Sequence, residues 1–288
     1  MNVQRPAVSV VIPHYNQNDY LERSLASVAC QLGEEDEILI VDDHSRQAPV
    51  VESGGWAPAV RIVVLPENRG PGVARNIGVE QARHDYVAFL DADDVALSGR
   101  ITAQLRALDA SPNWAGCVGD YVYQRDERHN ALSSHQEKGP FDIRRKLLAG
   151  RIFAAGSTLM VKRQLFLEIG GYNPALRVYE DWDLLLRMVT RSRVGHCGMP
   201  LAIISPSTRR AGMDDRLRVL TQLDDTYTRD MSGNEHRSFM QALAYERASA
   251  YFRAGWVWSG FRALLTSFGH APLTFSRRFA ARIVSGLP

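Results

Sequence analysis

Tyr86-Val-Ala-Phe-Leu-Asp-Ala-Asp-Asp94 is an apolar run that stops at Leu90 and gives way at once to three aspartates, Asp91, Asp93 and Asp94. So short an apolar stretch, bounded by polar residues, predicts a buried strand. Carboxylates clustered at its C-terminal end put hard oxygen ligands at the rim of a sheet, where a divalent cation and the phosphates it neutralises can be held together. The same residues would also serve as a solvated acidic turn that caps the next helix, so the rest of the chain has to decide between the two.

Working outward, β-branched runs recur at Ala7 to Ile12, Glu37 to Val41 and Val60 to Leu65, each followed by polar or turn residues. Between the first two, Asp19 with Glu22 three residues later has the spacing of a capping box and predicts a helix that closes near Gly33. A second helix is predicted from about Gly72 to Arg83. Continuous apolar strands separated by helices predict an α/β domain, a mostly parallel sheet covered on both faces. In such sheets the ligand site lies beyond the carboxyl ends of the strands. Pro13, His14, Tyr15 and Asn16 follow the first strand, Asp42 and Asp43 the second, and Asp91 to Asp94 the fourth, so all three sets are expected to face one crevice.

Composition narrows the function classes. The 288 residues are 45% hydrophobic and 23% charged, enough for one large globular domain or two smaller ones. The net charge of +2 gives no reason to invoke nucleic acid, but it is unevenly spread. From His236 onward Arg237, Arg247, Arg253, Arg262, Arg277, Arg278 and Arg282 face the single acid Glu246, a basic arm suited to an anionic partner. Cys30, Cys117 and Cys197 fit neither a disulfide framework nor a zinc ligand set, and a cytoplasmic setting is expected. No signal peptide or spanning helix is expected either, since the most apolar later segment, Trp256 to Phe268, is broken by Arg262.

Taken in order, Val8-Ser-Val-Val-Ile-Pro-His-Tyr-Asn16, Ile40-Val-Asp-Asp-His-Ser45, Glu67-Asn-Arg-Gly-Pro-Gly-Val-Ala-Arg-Asn-Ile-Gly78, Phe89 to Asp94, and Gly170-Gly-Tyr172 leading to Glu180-Asp-Trp182 resemble the signature of family 2 glycosyltransferases of the GT-A fold. The resemblance runs over roughly residues 7 to 210. It implies a Rossmann-like sheet flanked by helices, and inverting transfer of one sugar from a nucleotide-diphosphate donor, a UDP-sugar first among them, to a glycan or lipid-linked acceptor in cell-surface polysaccharide or glycoconjugate synthesis. Pro13, Tyr15, Asp43, Arg75 and Asp91 are then the expected donor-binding residues. Tyr15 offers an aromatic face to the base and Asp43 an acceptor for its imide N–H. Asp93 would hold Mg2+ or Mn2+ across the diphosphate, with Asp94 as the alternative ligand and Asp91 reaching the ribose or the metal shell. A cation there stabilises the leaving group as its charge grows. Asp181 matches the family's general base, which takes the acceptor's hydroxyl proton. Blander readings stand beside these: Asp42 and Asp43 as turn caps, Arg75 as a solvated helix arginine, and Glu180, Asp181 and Asp183 as complements to a helix dipole.

The chain also departs from the family. No Gln-x-x-Arg-Trp follows Asp181, which argues against a processive synthase. Where many relatives carry a histidine, this chain reads Ile204-Ser-Pro-Ser-Thr-Arg-Arg210, so Arg209 or Arg210 could serve the phosphates, or form an exposed basic turn. Beyond Met213 a helical hairpin is predicted, Leu243 to Phe252 and Trp256 to Phe268, joined at Gly255. After it, Phe275, Phe279 and Ile283 beside Arg277, Arg278 and Arg282 form a pattern that could lie peripherally on the inner face of a membrane, or simply pack as a C-terminal helix. The expected organisation is a nucleotide-sugar-binding half (1–110), an acceptor-binding half (111–212) and a helical extension (213–288). Two other function classes compete with this reading. A nucleotidyltransferase would want a Gly-rich basic signature where Val8 to Asn16 has none; a non-catalytic sugar-nucleotide-binding or scaffold protein would lose Asp181 or the Asp91 to Asp94 cluster.

Overall fold

The computed structural model describes residues 5–51, 57–124, 130–133, 139–152, 156–206, 211–229, 231 and 233–270. The expectations for Arg209, Arg210 and the Phe275 to Ile283 pattern fall outside them. By contacts the chain divides into two units: Met1–Ile143 with Ala154–Ala175 and Leu184–Pro206, and Arg144–Phe153 with Leu176–Asp183 and Ser207–Pro288.

The first unit is a ten-stranded sheet with helices. Its first part runs β1 (Val8–His14), α1 (Asn18–Ala29), β2 (Glu37–Asp42), β3 (Ala59–Val64), α2 (Pro71–Gln81) and β4 (Tyr86–Phe89). These strands lie parallel in the order β3-β2-β1-β4. All residues of β1 and β2 are buried, which is why they read as unbroken apolar runs rather than alternating ones. Leu21, Leu25 and Val28 of α1 fall on one helical face and enter the core with Val8, Val10, Ile12 and Ile38. Helix α2 lies unusually close to β1, because a Cβ built on Gly78 would sit 2.3 Å from Val11 Cγ1.

The capping box expected at Asp19 does not form. The helix begins two residues earlier, its N-cap is Gln17 with no side-chain cap bond, and the Gln17 carbonyl accepts the N–H groups of Tyr20 and Leu21. Asp19 stays in the first turn, where it complements the helix dipole.

Past β4 the sheet becomes mixed. The order continues β4-β9-β6-β10-β5, through β5 (Val95–Ala96), α3 (Arg100–Ala110), β6 (Trp114–Gln124), a single 3-10 turn (Gly156–Thr158), β9 (Met160–Lys162), α5 (Arg163–Glu168) and β10 (Arg193–Ile204). Strand β9 is antiparallel to both β4 and β6, whereas β6 and β10 are parallel. Two short strands, β7 (Asn130–Ser133) beside β6 and β8 (Phe141–Asp142) beside β10, complete it.

The second unit is helical: α4 (Arg144–Leu148), the first turn of α6 (Glu180–Arg191), α7 (Met213–Tyr227), α8 (Gly233–Arg253) and α9 (Val257–His270). Its core is aromatic, with Phe239 tilted against Trp182 and edge-on to Tyr227. The predicted hairpin is present as α8 and α9, turning at Gly255, whose φ of 79° suits glycine. Among the described residues no helix is long and apolar enough to cross a membrane.

Candidate functional site

Three loops meet at the carboxyl ends of β1, β2 and β4. At the first, Pro13 is buried within β1 in register with Val41, and Tyr15 beyond it is half-buried. His14 is buried, with Nδ1 2.9 Å from Asp42 Oδ1, while its Nε2 accepts the Gln17 N–H at 3.3 Å. That pairing assigns the ring as neutral, with the proton on Nδ1 donated to Asp42. Asp42 also accepts the Ser45 hydroxyl, and Ser45 Oγ in turn accepts the Asn16 N–H at 2.8 Å. Asn16 takes the left-handed conformation, φ 53°, and its side-chain oxygen accepts the Arg46 N–H at 2.9 Å. The turn after β1 is thereby stitched to the turn after β2.

Asp43 is 2% exposed and joins β2 to the glycine loop. Its two oxygens accept the N–H groups of Arg69 and Gly70, each at 2.7 Å, while its backbone oxygen accepts from Asn68 Nδ2 at 3.1 Å. Gly70, at φ 90°, caps α2, and Pro71 supplies the first helical residue without an N–H to satisfy. The residue read as a contact for a nucleotide base therefore also holds the loop expected to approach the phosphates.

The three aspartates of the acidic turn have different surroundings. Asp91 is about one-third exposed and pairs with Arg75, whose Nη2 lies 2.5 Å from its Oδ1. Asp94 is buried, accepting the Ser157 hydroxyl at 2.5 Å and the Ser205 N–H at 2.8 Å. Burial, with the Asp91 charge next in weight, pushes its carboxyl up to about 8. Asp93 is half-buried, and burial followed by repulsion from Asp91 raises its carboxyl above the usual range. Its backbone oxygen accepts from Arg23 and Ser205, which fixes the turn without using the carboxylate. Beneath the turn, the fully buried Arg100 donates to the Phe89 carbonyl at 2.7 Å and to Gln104 Oε1 at 3.1 Å.

Arg75 is buried, not a solvated helix arginine. Its guanidinium carbon sits 5.1 Å from the centre of the Tyr172 ring while the group pairs with Asp91. Tyr172 is held by Asn76, which donates to its carbonyl at 2.8 Å and accepts its N–H at 2.7 Å. Gly171, at φ 64°, is required there, since a Cβ would fall 2.4 Å from Asn76 Oδ1. The Gly170-Gly171-Tyr172 motif thus docks on α2 and buttresses the arginine that faces the acidic turn.

Asp181 stands in the first turn of α6 with Glu180 and Asp183. Asp183 is buried and accepts the Tyr227 hydroxyl at 2.8 Å, whereas Glu180 and Asp181 are half-buried. Tyr179, at φ 59°, donates its hydroxyl to Glu246 at 3.1 Å, and burial pushes its pKa up.

Among the described residues no cluster of three or more histidine, cysteine or acidic side chains is arranged to hold a metal ion. A magnesium-type cation needs fewer, since it is commonly bound by one or two carboxylates together with substrate phosphates and water. The acidic turn fits that need, because burial and then repulsion from Asp91 raise the Asp93 carboxyl, and a cation beside it would offset both.

Sequence reasoning did not single out Ser157, Ser205, Arg100 or the role of Asn76. Asn76 and Ser205 lay inside quoted stretches but were not assigned these roles; a serine that meets an aspartate across the sheet leaves no local signal.

The family model for Glycosyl transferase family 2 matches residues 9–170. The chain is 29% identical over 188 residues to an uncharacterized glycosyltransferase of Haemophilus influenzae, covering 63% of this chain and 62% of that one. It is 37% identical over 190 residues to the succinoglycan biosynthesis protein ExoO of Rhizobium meliloti, covering 62% and 55%. The chain thus spans less than two thirds of the length of either relative. Residues 1–349 of S. aureus TarS superpose with a TM-score of 0.68 at 18% identity, covering 93% of this chain and 82% of that one. The complex of the same segment with UDP-GlcNAc gives 0.66 at 18% identity, covering 86% and 73%. At this identity the likeness is one of fold, and the fold is the GT-A arrangement expected from the sequence.

Proposed function

We propose, because the chain belongs to glycosyl transferase family 2, that it moves a single sugar from a nucleotide-diphosphate donor, a UDP-sugar first among candidates, to a hydroxyl of a glycan or lipid-linked acceptor with inversion at the anomeric carbon. The observation that carries the reading is the convergence, within one unit, of the Pro13 to Asn16 turn, Asp43 with the glycine loop, and Arg75 with the Asp91 to Asp94 turn. That a relative is named for succinoglycan biosynthesis, and that TarS is solved with UDP-GlcNAc, support polysaccharide chemistry and a uridine donor. A cytoplasmic setting, with peripheral contact at the inner face of the membrane, belongs to the same proposal.

In this reading Tyr15 and Asp43 meet the base, and Arg75 and Asp91 orient the ribose and diphosphate. Asp93, with Asp94 as alternative, would hold Mg2+ or Mn2+, which when bound neutralises the departing diphosphate. The acceptor oxygen bonds to the anomeric carbon as the bond to the diphosphate breaks, and Asp181 takes the hydroxyl proton. Asp183 is buried and accepts the Tyr227 hydroxyl, a packing role within the second unit.

The test is release of nucleoside diphosphate from a panel of nucleotide sugars, with and without Mn2+, for the parent, Asp93→Ala and Asp181→Asn. Asp181→Asn should leave UDP affinity unchanged and lower turnover on the order of 100- to 10,000-fold, the usual effect of removing a base. Turnover equal to the parent, with a verified acceptor, would remove Asp181 from the mechanism.

A further inference from the structure

The α8–α9 hairpin presents a large apolar surface. Trp256, Val257, Trp258, Phe261 and Leu265 are all exposed, Trp258 at 86% and Leu265 at 72%. Trp258, Phe261 and Leu265 recur at helical spacing and form one stripe of α9. The stripe is not a core face turned the wrong way, because α9 already has a packed side. Leu264 is buried, Phe252 meets Phe261 edge-on at 5.4 Å, and a Cβ on Gly260 would fall 2.6 Å from Phe252 Cε1. The exposed stripe is what remains after that packing, and a patch of this kind marks an interaction surface.

Charge identifies the partner. Arg253 at the end of α8 and Arg262 within α9 are exposed, and α9, Val257 to His270, contains no aspartate or glutamate. Tryptophan and phenylalanine with arginine and without acids match the boundary of an anionic bilayer, where rings sit at headgroup depth and guanidinium groups meet phosphate. We infer that α9 is an interfacial docking element that seats Trp258, Phe261 and Leu265 among the lipids of an anionic membrane surface. The contact is made by α9 itself and does not need Leu273 to Pro288. It rests on the proposed peripheral membrane setting, and does not depend on the sugar chemistry.

The experiment is co-sedimentation of the full chain with phosphatidylcholine vesicles, with and without phosphatidylglycerol, alongside UDP binding and sedimentation velocity. The parent should pellet with the anionic vesicles. Trp258→Ser/Phe261→Ser/Leu265→Ser should lower vesicle partition by about a hundredfold or more, since each large apolar side chain contributes roughly tenfold. Arg253→Gln/Arg262→Gln should remove the preference for anionic lipid, and a chain lacking Leu273–Pro288 should still bind. Four results would overturn the inference: a triple variant that binds like the parent, a truncated chain that alone loses binding, equal binding to neutral and anionic vesicles, or a parent that dimerises through this face and ignores vesicles. UDP binding separates the two proposals, because its absence from the parent would count against the proposed function while leaving the vesicle result to stand.

Discussion

Replacing Asp43 with alanine isolates the clasp between β2 and the glycine loop. The carboxylate accepts two backbone N–H groups at 2.7 Å from a site 2% exposed. Hydrogen bonds to a charged group contribute about 1.5–3 kcal/mol each. Arg69 is exposed and its freed amide regains water, whereas Gly70 is buried and its amide does not. The expected loss is therefore about 2–4 kcal/mol, smaller than the sum of two full bonds. In a chain of this size that corresponds to roughly 5–15 °C in melting temperature. Urea titration followed by circular dichroism gives the free energy, and hydrogen exchange at the amides of residues 69 and 70 reports the clasp directly. Asp43→Asn should recover less than half of the loss, since its amide keeps one acceptor but sets an NH2 against a backbone donor. An unchanged denaturation midpoint, with both amides as protected as in the parent, would refute the reasoning. Base recognition is a separate reading of the same residue, tested by comparing UDP with CDP: a loss confined to UDP supports a base contact, and an equal loss for both assigns Asp43 to the loop alone.

Gly78→Ala should destabilise by about 1–3 kcal/mol, because its Cβ would overlap Val11 in a strand that is fully buried. Combining it with Val11→Ala should recover part of that cost, and strictly additive melting shifts would show that the two residues do not collide. Divalent ion binding should depend on pH. A proton competes for the Asp94 carboxyl below about 8, so Mn2+ affinity should rise with pH up to that value and then level off. Calorimetry in two buffers of different ionisation enthalpy would reveal the released proton, and a flat affinity across the range would exclude it. Without metal the same upward shift acts on stability. The folded state favours the protonated acid, so stability should fall as pH climbs from the unfolded value near 3.8 toward about 8.

What was legible in the sequence follows from burial. Strands β1 to β4 and helix α2 appear within a residue or two of their predicted bounds, since the covered strands β1, β2 and β4 leave unbroken apolar runs, the half-exposed edge strand β3 is marked by its β-branched residues, and Pro71 marks a helix start. Strand β9 could not be read, because three residues, Met160–Lys162, carry no periodicity and its antiparallel direction is set by partners on either side. The capping box failed because the Gln17 carbonyl opens the helix before Asp19 can serve as its cap. The site divides in the same way. Asp91, Asp93 and Asp94 announce themselves at a strand end, but the partners that separate their roles are remote, Ser157 at 63 residues and Ser205 at 111 residues from Asp94. Arg75 was ambiguous for a similar reason, since nothing near it in sequence shows Tyr172 arriving from 97 residues away to cover it.

Three carboxylates in one turn repel one another, and the unit meets that repulsion differently at each. Arg75 compensates Asp91 through a contact made firm by Tyr172 and Asn76. Asp94 lies out of water, where hydroxyl and amide donors replace its hydration but burial still favours its neutral form. Asp93 is left with attraction from Arg23 and Arg75 that burial and Asp91 outweigh. Arg100 adds positive charge from below, yet its donors go to a carbonyl and an amide instead of a carboxylate. The turn is thus short of positive charge at one residue, and the shortfall lies beside the groups proposed to face a diphosphate. A purely structural acidic turn would gain from a fourth basic side chain at that point. In the proposed mechanism a dication arriving with the donor answers the same need, which accounts for a turn that pairs Asp91 with Arg75, buries Asp94 among neutral donors, and leaves the Asp93 carboxyl raised by burial and by Asp91.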